Sequence, residues 1–350
     1  MGNYRGYIGT YTKGESEGLY SFSLDTDKGE IRDVRLAAVL DNPTYLTISD
    51  DNQNLYSVIK KGETGGAVAF SIDQNTGALK ALNDRSSNGA APCHISVDQK
   101  KQYVLTANYH KAEVVLYPLN PEDGRLKDPS SIVKLEGSGP NPKRQESAHT
   151  HFAGWTPDEK YVVIVDLGMD AIVTYQVKAG KLEEASRLLV QPGSGPRHIA
   201  FHPNGKYAYV MTELSGEIIV LDYDAETGKL LPKQYAQTLP THFSGYNDGS
   251  AIHLTTDGRF VYCANRGHNS IAAFRVDEGS GQLTLIEHTP TEGDWPRDFV
   301  LDPSERFLVA ANQNSGNLVL FSRDVESGRL TLRQEDVRVP DPVCVKFLHI

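Results

Sequence analysis

The sequence is poor in cysteine and has no long apolar run. Its 350 residues include three cysteines, Cys93, Cys263 and Cys344, which are far apart and show no CxxC spacing. This pattern argues against a cysteine-based zinc or dithiol redox site, and we expect three buried thiols. No window approaches the roughly 18 consecutive apolar residues of a membrane span, and the residues after Met1 do not resemble a secretory signal. The sequence therefore predicts a cytoplasmic protein with no membrane partner.

Positive charge is also scarce. Lysine and arginine number 35 against 45 aspartates and glutamates, which gives a formal net charge of −10. Because no basic patch or block is present, we expect no nucleic-acid partner. The chain has no GxSxG elbow, no P-loop and no dinucleotide fingerprint, so no cofactor is predicted. A sustained helical period is missing as well, which leaves strands as the expected secondary structure.

A short turn recurs along the whole chain. Gly-x-Leu or Gly-x-Ile begins at Gly29, Gly77, Gly124, Gly180, Gly228, Gly281 and Gly328. Successive glycines are 48, 47, 56, 48, 53 and 47 residues apart. Glycine tolerates a positive φ, so each turn suits a tight hairpin between two strands.

Strand patterns surround each turn. GLYSFSLD and AIVTYQVK are typical of the strand before the glycine, YVVIVDL of the strand before that, and PRHIAFH of the first strand in a repeat. A fourth strand follows the glycine. Four strands per repeat of this length indicate a β-propeller blade, and seven turns predict seven blades.

The two ends of the chain complete one blade. The first repeat opens on YRGYIGTYT without a first strand of its own, and the last strand, in DPVCVKF, has no second strand after it. Pairing these two segments closes the ring and removes two open sheet edges. The prediction is an all-β, seven-bladed β-propeller that forms a single domain over residues 1–350.

Strand direction decides which polar residues share a rim. The starts of the first strands and the ends of the second strands meet on one rim, and the glycine turns lie on the other. Arg197, Arg266 and Arg297 therefore bring three cations to one mouth. Guanidinium groups bind carboxylate and phosphate in a bidentate way, so a small anionic ligand is predicted. Two inserted loops, residues 137–147 and 241–249, precede strands at this rim and are candidates for function.

Other candidates on this rim have structural alternatives. Glu213 ends an apolar strand, and a buried carboxylate there requires a partner, for which Arg197 is the expected one. His151 and His198 occupy a position that His94 shares in a third blade, which also fits a hydrogen bond between blades. Three further candidates on this rim are His149, Asn108 and Asp166. Asp166 is equally suited to a structural role in a turn. His149 and His151 lack a clear third ligand, so no metal site is predicted.

Ten segments together carry a family resemblance. They are GTYT, NPTYL, PCHISVD, ANYH, HTHF, DLGMD, GPRHIAFHPNGKYAYVMTEL, ANRGHNSIAAF, WPRDFVLDP and ANQNSGNLVLF. Over residues 7–345 the chain resembles the seven-bladed lactonase family, which includes propeller-type 6-phosphogluconolactonases and fungal carboxymuconate lactonizing enzymes. The resemblance implies a lactone hydrolase acting on 6-phosphogluconolactone in the pentose phosphate pathway. The open alternatives are a lactonizing cycloisomerase and a non-catalytic binding platform.

The resemblance also implies roles. The muconate branch uses a histidine, two arginines and a glutamate, which correspond here to His149, Arg197, Glu213 and Arg266. We expect His149 or Glu213 to act as the base and Arg197 to stabilise the carbonyl oxygen, while Arg266 or Arg297 holds the phosphate. The predicted catalytic residues are His149, Arg197 and Glu213, and the predicted substrate-binding residues are Arg266, Arg297, His151, His198, Asn108 and Asp166. The expected partner is a small anionic lactone, and the sequence does not decide the oligomeric state.

Overall fold

Each glycine turn of the sequence joins two strands of a four-stranded antiparallel sheet in the computed structural model, which describes residues 2–349. The seven turn glycines have φ between 65° at Gly29 and 77° at Gly328. An L-residue with a side chain seldom adopts this conformation. The predicted hairpin role of these glycines is confirmed.

Within residues 2–349 the chain forms 28 strands and no helix. In the first half of the chain these are β1 (Asn3–Thr10), β2 (Gly18–Asp25), β3 (Glu30–Val39), β4 (Leu46–Ile48), β5 (Asn54–Lys61), β6 (Thr64–Ile72), β7 (Leu79–Asn88), β8 (His94–Val97), β9 (Tyr103–Asn108), β10 (Glu113–Pro118), β11 (Ser131–Lys134), β12 (Thr150–Trp155), β13 (Val162–Asp166), β14 (Ala171–Lys178) and β15 (Lys181–Leu189). In the second half they are β16 (Pro196–Phe201), β17 (Tyr207–Thr212), β18 (Glu217–Asp224), β19 (Lys229–Gln237), β20 (Asp248–Leu254), β21 (Phe260–Arg266), β22 (Ser270–Val276), β23 (Leu283–Pro290), β24 (Pro296–Leu301), β25 (Phe307–Asn312), β26 (Asn317–Arg323), β27 (Leu330–Arg338) and β28 (Pro342–Phe347).

The sheets are the blades of a seven-bladed propeller. Blade I has the order β28-β1-β2-β3, and blades II to VII follow as β4 to β7, β8 to β11, β12 to β15, β16 to β19, β20 to β23 and β24 to β27. The first strand of each blade contacts the first strands of its two neighbours, so these strands surround the central channel. β28 pairs antiparallel with β1, with Gly6 opposite Phe347. The predicted closure by the C-terminal strand is confirmed.

The apolar core is divided among the junctions between blades. Seven clusters of buried residues occur, one between each pair of neighbouring blades. Phe22 of blade I packs with Phe307 of blade VII in the cluster that closes the ring. Because both faces of a blade are covered, the second strands are apolar on both sides, and all of β13 is buried. This explains why those strands do not alternate cleanly in sequence.

Tyrosines on the second strands of four blades tie those blades to the next. Their hydroxyl groups donate hydrogen bonds to turn-glycine carbonyls of the following blade, namely Tyr7 to Gly77 at 2.7 Å, Tyr56 to Gly124 at 2.9 Å, Tyr209 to Gly281 at 3.0 Å and Tyr262 to Gly328 at 2.7 Å. All four tyrosines are fully buried. The glycine turn thus serves both as a hairpin and as a hydrogen-bond acceptor between blades.

Residues 2–349 contain no helix of the length and hydropathy that a membrane span requires.

Candidate active site

A cavity of about 570 Å³ opens on the rim that strand direction predicted. Every blade contributes to it, through the start of its first strand, the end of its second strand or the loops beside them. Its lining residues are Tyr11, Lys13, Asn42, Thr44, Lys60, Ala90, Ala91, Pro92, Cys93, Tyr109, His110, Arg144, His151, Glu213, Asp248, Arg266, Trp295 and Arg297. Both inserted loops reach this cavity, since residues 137–147 supply Arg144 and residues 241–249 supply Asp248.

Glu213 is the centre of an arginine cluster in the cavity floor. Its Oε2 accepts a hydrogen bond from Nε of Arg197 at 2.9 Å and forms an ion pair with Nη2 of Arg266 at 2.7 Å. Its Oε1 accepts from Nη2 of Arg144, whose Nη1 also lies 3.5 Å from Asp248. The predicted contact between Arg197 and Glu213 is confirmed.

The charges of the cluster shift its pKa values. Burial raises the pKa of Glu213, but the positive charges of Arg266 and Arg197 outweigh burial and hold the pKa well below its usual range. Burial, followed by the charge of Arg266, lowers the pKa of Arg197 to about 10. Glu213 is therefore ionised at neutral pH. Both carboxylate oxygens of Glu213 are engaged by guanidinium groups, so this carboxylate is poorly placed to take a proton from water, and its charge orders three arginines instead.

Local backbone geometry holds the cluster in place. The N–H of Glu213 donates to the carbonyl of Gly195 at 2.7 Å, and the carbonyl of Glu213 accepts from the N–H of Gly249 at 2.9 Å. The carbonyl of Gly249 in turn accepts from Nη2 of Arg266 at 2.7 Å. A Cβ at position 249 would lie 2.1 Å from the carbonyl oxygen of Thr212. Only glycine allows the two chains to approach this closely.

His149 lies beside the cavity and not in its wall. Its Nδ1 is 3.0 Å from the carbonyl oxygen of Tyr109, its Nε2 is 3.0 Å from Oε1 of Glu146, and the ring stacks on Tyr109 with centroids 4.2 Å apart. Both nitrogens lie within hydrogen-bond distance of oxygen atoms of neighbouring residues. The imidazole of His149 is therefore engaged outside the cavity wall.

His151 and His198 join His94 in a buried cluster within the channel. The ring centroids of His151 and His198 are 5.2 Å apart, and those of His94 and His198 are 5.4 Å apart. Burial, followed by the charge of Arg197, holds the pKa of His151 and of His198 well below the usual range. The rings of His151 and His198 pack together, and His198 Nε2 lies 3.4 Å from Nη1 of Arg197 in its own blade. Of the three rings, His151 lines the cavity.

The remaining predicted site residues separate into two groups. Arg297 lines the cavity, with its guanidinium 5.4 Å from the ring centroid of Tyr11. Asn108 does not line it, but its amide donates to the carbonyl of Ala90 at 2.8 Å and so holds a loop that does. Asp166 is fully buried away from the cavity, where its carboxylate accepts hydrogen bonds from the N–H groups of His149 and Met169 and from the hydroxyl of Thr150. Its contacts are those of a turn residue.

Comparison with known proteins identifies the family. The family model described as "Lactonase, 7-bladed beta-propeller" matches residues 5–347. The chain belongs to the seven-bladed β-propeller lactonase family. It is 54% identical over 349 residues to a protein of Bacillus subtilis named 6-phosphogluconolactonase, and the match covers 100% of this chain and 99% of that one. The predicted assignment to the lactone hydrolases is thereby confirmed.

Solved structures show the same relationship. A protein from Lactobacillus plantarum has a TM-score of 0.95 and 42% identity, covering 99% of this chain and 100% of that one. A structure described as the periplasmic gluconolactonase of Pseudomonas aeruginosa has a TM-score of 0.94 and 32% identity, and the match covers 100% of both chains.

Sequence reasoning about this lactonase missed Arg144 and the aromatic wall of the cavity. Arg144 belongs to an inserted loop that is a candidate for function in the sequence, but a loop has no strand position by which its residues can be ranked. Trp295 stacks parallel to Tyr246, with ring centroids 6.2 Å apart, and Arg266 lies over the Trp295 ring at 5.5 Å. The signal available in sequence was the position of Trp295 directly before the Pro-Arg segment of its blade.

The cysteine prediction needs one correction. Cys263 and Cys344 are buried as expected, whereas Cys93 is half-buried and lines the cavity of the lactonase. Its Sγ lies 3.6 Å from the carbonyl oxygen of Thr150, and burial raises the pKa of the thiol to about 11. A thiol with so high a pKa is a weak nucleophile at neutral pH.

Residues 2–349 contain no group of three or more His, Cys, Asp or Glu side chains arranged to hold a metal ion.

Proposed function

We propose that this lactonase hydrolyses 6-phosphogluconolactone to 6-phosphogluconate, a reaction of the pentose phosphate pathway. One observation carries the proposal, which is the excess of positive charge in the cavity of a protein whose net charge is −10. Five cations line the cavity, namely Lys13, Lys60, Arg144, Arg266 and Arg297. Two carboxylates line it as well, those of Glu213 and Asp248. Such a cavity favours an anionic lactone, and the name of the Bacillus subtilis relative supports the phosphorylated one.

The arginine cluster suits the chemistry of ester cleavage. Water adds to the carbonyl carbon of the lactone, negative charge develops on the carbonyl oxygen, and the bond to the ring oxygen breaks. The ring oxygen takes up a proton to become a hydroxyl, and the product carries a carboxylate. Arg266 and Arg144 face the cavity and stabilise the developing oxyanion, while Glu213 holds their guanidinium groups in position. Arg197 does not line the cavity, and its Nε donates to Glu213 at 2.9 Å, which supports a positioning role for it.

A neutral imidazole in the cavity wall is the best supported base. His151 lines the cavity, and its Nδ1 is buried without a hydrogen-bond partner among the described residues. Its lowered pKa keeps the ring neutral at pH 7, so one ring nitrogen is unprotonated. Glu213 is held ionised by three arginines, and His149 has both nitrogens engaged, so we assign the base to His151 in their place.

The test is hydrolysis of 6-phosphogluconolactone above the spontaneous rate in buffer. We expect Arg266→Gln to lower kcat by about 10²- to 10³-fold, as removal of one oxyanion donor does elsewhere, and His151→Gln to lower it by about 10²-fold or more. Arg259→Gln is the matched control, because Arg259 lies half-buried in a turn on the opposite rim, outside the cavity, and pairs with Asp257 at 2.7 Å. A wild-type protein no faster than buffer contradicts the proposal.

A substrate panel separates the alternatives. If the protein forms a lactone from a carboxylated dienoate in the same series of assays, it is a lactonizing cycloisomerase instead.

The cytoplasmic location expected from sequence remains a prediction, and the Pseudomonas aeruginosa relative is described as periplasmic.

A further inference from the structure

We propose that Lys13, Lys60 and Arg297 form a phosphate subsite in the part of the cavity built by blades I, II and VII. The inference rests on the proposed function and deepens it, because it assigns the group that distinguishes a phosphorylated lactone from an unphosphorylated one. Arg297 was a sequence candidate for this role, whereas neither lysine was.

These three cations differ from the arginines around Glu213 in their partners. Arg144, Arg197 and Arg266 all form ion pairs with carboxylates on the side of the cavity that blades IV to VI supply. Within residues 2–349, no carboxylate oxygen lies within the 4.0 Å of an ion pair from Lys13, Lys60 or Arg297. The cavity therefore has one side on which the cations are paired with carboxylates and another on which they are not.

Tyr11 brings two of the cations together. The ammonium group of Lys13 lies 4.5 Å from the Tyr11 ring centroid, and the guanidinium of Arg297 lies 5.4 Å from the same centroid. Arg297 also donates to Oε1 of Gln313 at 3.3 Å. The partners of Lys13 and Arg297 are thus an aromatic ring and a neutral amide. Because neither partner carries a negative charge, the positive charges of the two residues remain available to an anion.

Hydrogen bonds join the lysine-bearing segments. The N–H of Thr12 donates to Oδ1 of Asn42 at 3.2 Å, and the backbone N–H of Lys60 donates to the carbonyl of Asp41 at 3.0 Å. The carboxylate of Asp41 accepts hydrogen bonds from the Thr12 hydroxyl and the Asn42 amide, both at 2.8 Å. The loop carrying Lys13 is thus fixed to the loop that supports Lys60, and the nearby acid is occupied by neutral donors.

The charge of a phosphate monoester matches this arrangement. Such a group carries roughly −1.5 to −2 charges at neutral pH and several strong acceptor oxygens. A guanidinium fork and two ammonium groups that line one cavity offer both bidentate and point-charge contacts. With the phosphate held here, the lactone ring extends toward Trp295 and the arginine cluster. The enzyme should therefore prefer 6-phosphogluconolactone to δ-gluconolactone.

The discriminating measurement is the ratio of kcat/KM for 6-phosphogluconolactone to kcat/KM for δ-gluconolactone. We expect Lys60→Ala and Arg297→Gln each to lower this ratio by about tenfold, since one charge-assisted contact contributes at least that factor. Lys61→Ala is the matched control, because the neighbouring Lys61 pairs with Asp84 at 2.8 Å outside the cavity. The control should leave the ratio unchanged.

The possible outcomes test the phosphate subsite and the lactonase function separately. A wild-type ratio that persists in both variants overturns the subsite while the lactonase function stands. Equal losses on both substrates also overturn it, because the cations then act on the lactone itself. A protein that hydrolyses neither lactone contradicts the proposed function, and inorganic phosphate then tests the subsite alone. Calorimetric titration should show wild type binding phosphate at least about tenfold more tightly than Lys60→Ala, and equal binding overturns the subsite.

Discussion

Glu213 illustrates how one buried side chain can order a cavity. A carboxylate that is 4% exposed would be costly alone, but three guanidinium groups surround it, and their own mutual repulsion is relieved by its charge. The arrangement keeps Arg144 and Arg266 facing the cavity in fixed positions, which is the preorganisation that oxyanion stabilisation requires. Removing Glu213 would leave three guanidinium groups close together without the carboxylate that they share.

The pH dependence of stability follows from the buried histidines. The pKa of His198 is held well below its usual range by burial and by Arg197, so the unfolded chain takes up a proton before the folded protein does as the pH falls. Stability should therefore decrease below about pH 6.5, by about 1.4 kcal/mol per pH unit for one such group. His198→Phe, which cannot take up a proton, should reduce the slope of unfolding free energy between pH 6.5 and 5 by about this amount.

Denaturant unfolding at a series of pH values measures that slope. His242→Gln is the control, because His242 is exposed in the 241–249 loop and should follow the wild-type curve. An unchanged slope in His198→Phe would show that the buried cluster takes up protons without unfolding.

At the scale of the strand, the recurring element is the tyrosine that reaches the next blade. Tyr262 on β21 donates to the carbonyl of Gly328 at 2.7 Å, and both groups are enclosed between blades VI and VII. Tyr262→Phe preserves the packing but leaves that carbonyl without its donor. We expect a loss of about 1 to 2 kcal/mol in the free energy of unfolding.

Chemical denaturation compares this variant with Tyr4→Phe. No hydrogen-bond partner of the Tyr4 hydroxyl occurs among residues 2–349, so Tyr4→Phe should change stability by less than about 0.5 kcal/mol. Equal effects of the two substitutions would mean that the bond between blades adds nothing beyond packing.

For the whole molecule, we propose that residues 1–350 form one domain that unfolds cooperatively. Each core cluster lies between two blades, so no blade buries its apolar faces alone. β28 completes blade I with Val343 and Val345, which are 2% and 0% exposed. A chain that ends at residue 341 would lose this strand and expose the edge of β1, so we expect it to aggregate and to show no cooperative transition.

Calorimetry and sedimentation test the closure. Wild type should give a single thermal transition, and a chain that lacks only residues 349–350 should retain it because β28 remains. A soluble, cooperatively folded chain ending at residue 341 would contradict the requirement for closure.

Much of this architecture follows from sequence because strand repeats are periodic. The spacing of the turn glycines indicates seven blades, and the unmatched first and last strands indicate closure. Strand direction then places Arg197 and Glu213 on one rim, since antiparallel neighbours bring a strand start beside a strand end. This reasoning applies to residues at strand ends, whose position is tied to the backbone period.

Only the tertiary structure decided which rim residues share the cavity. Arg144 lies in a loop, and loop conformation depends on contacts that have no sequence period. Lys13 and Arg297 come together because blades I and VII meet when the ring closes. Asp166 ends its strand on the predicted rim, yet its carboxylate turns toward local donors. The reason is physical: the backbone pattern determines where a side chain starts, while neighbouring charges and donors determine where its polar group points.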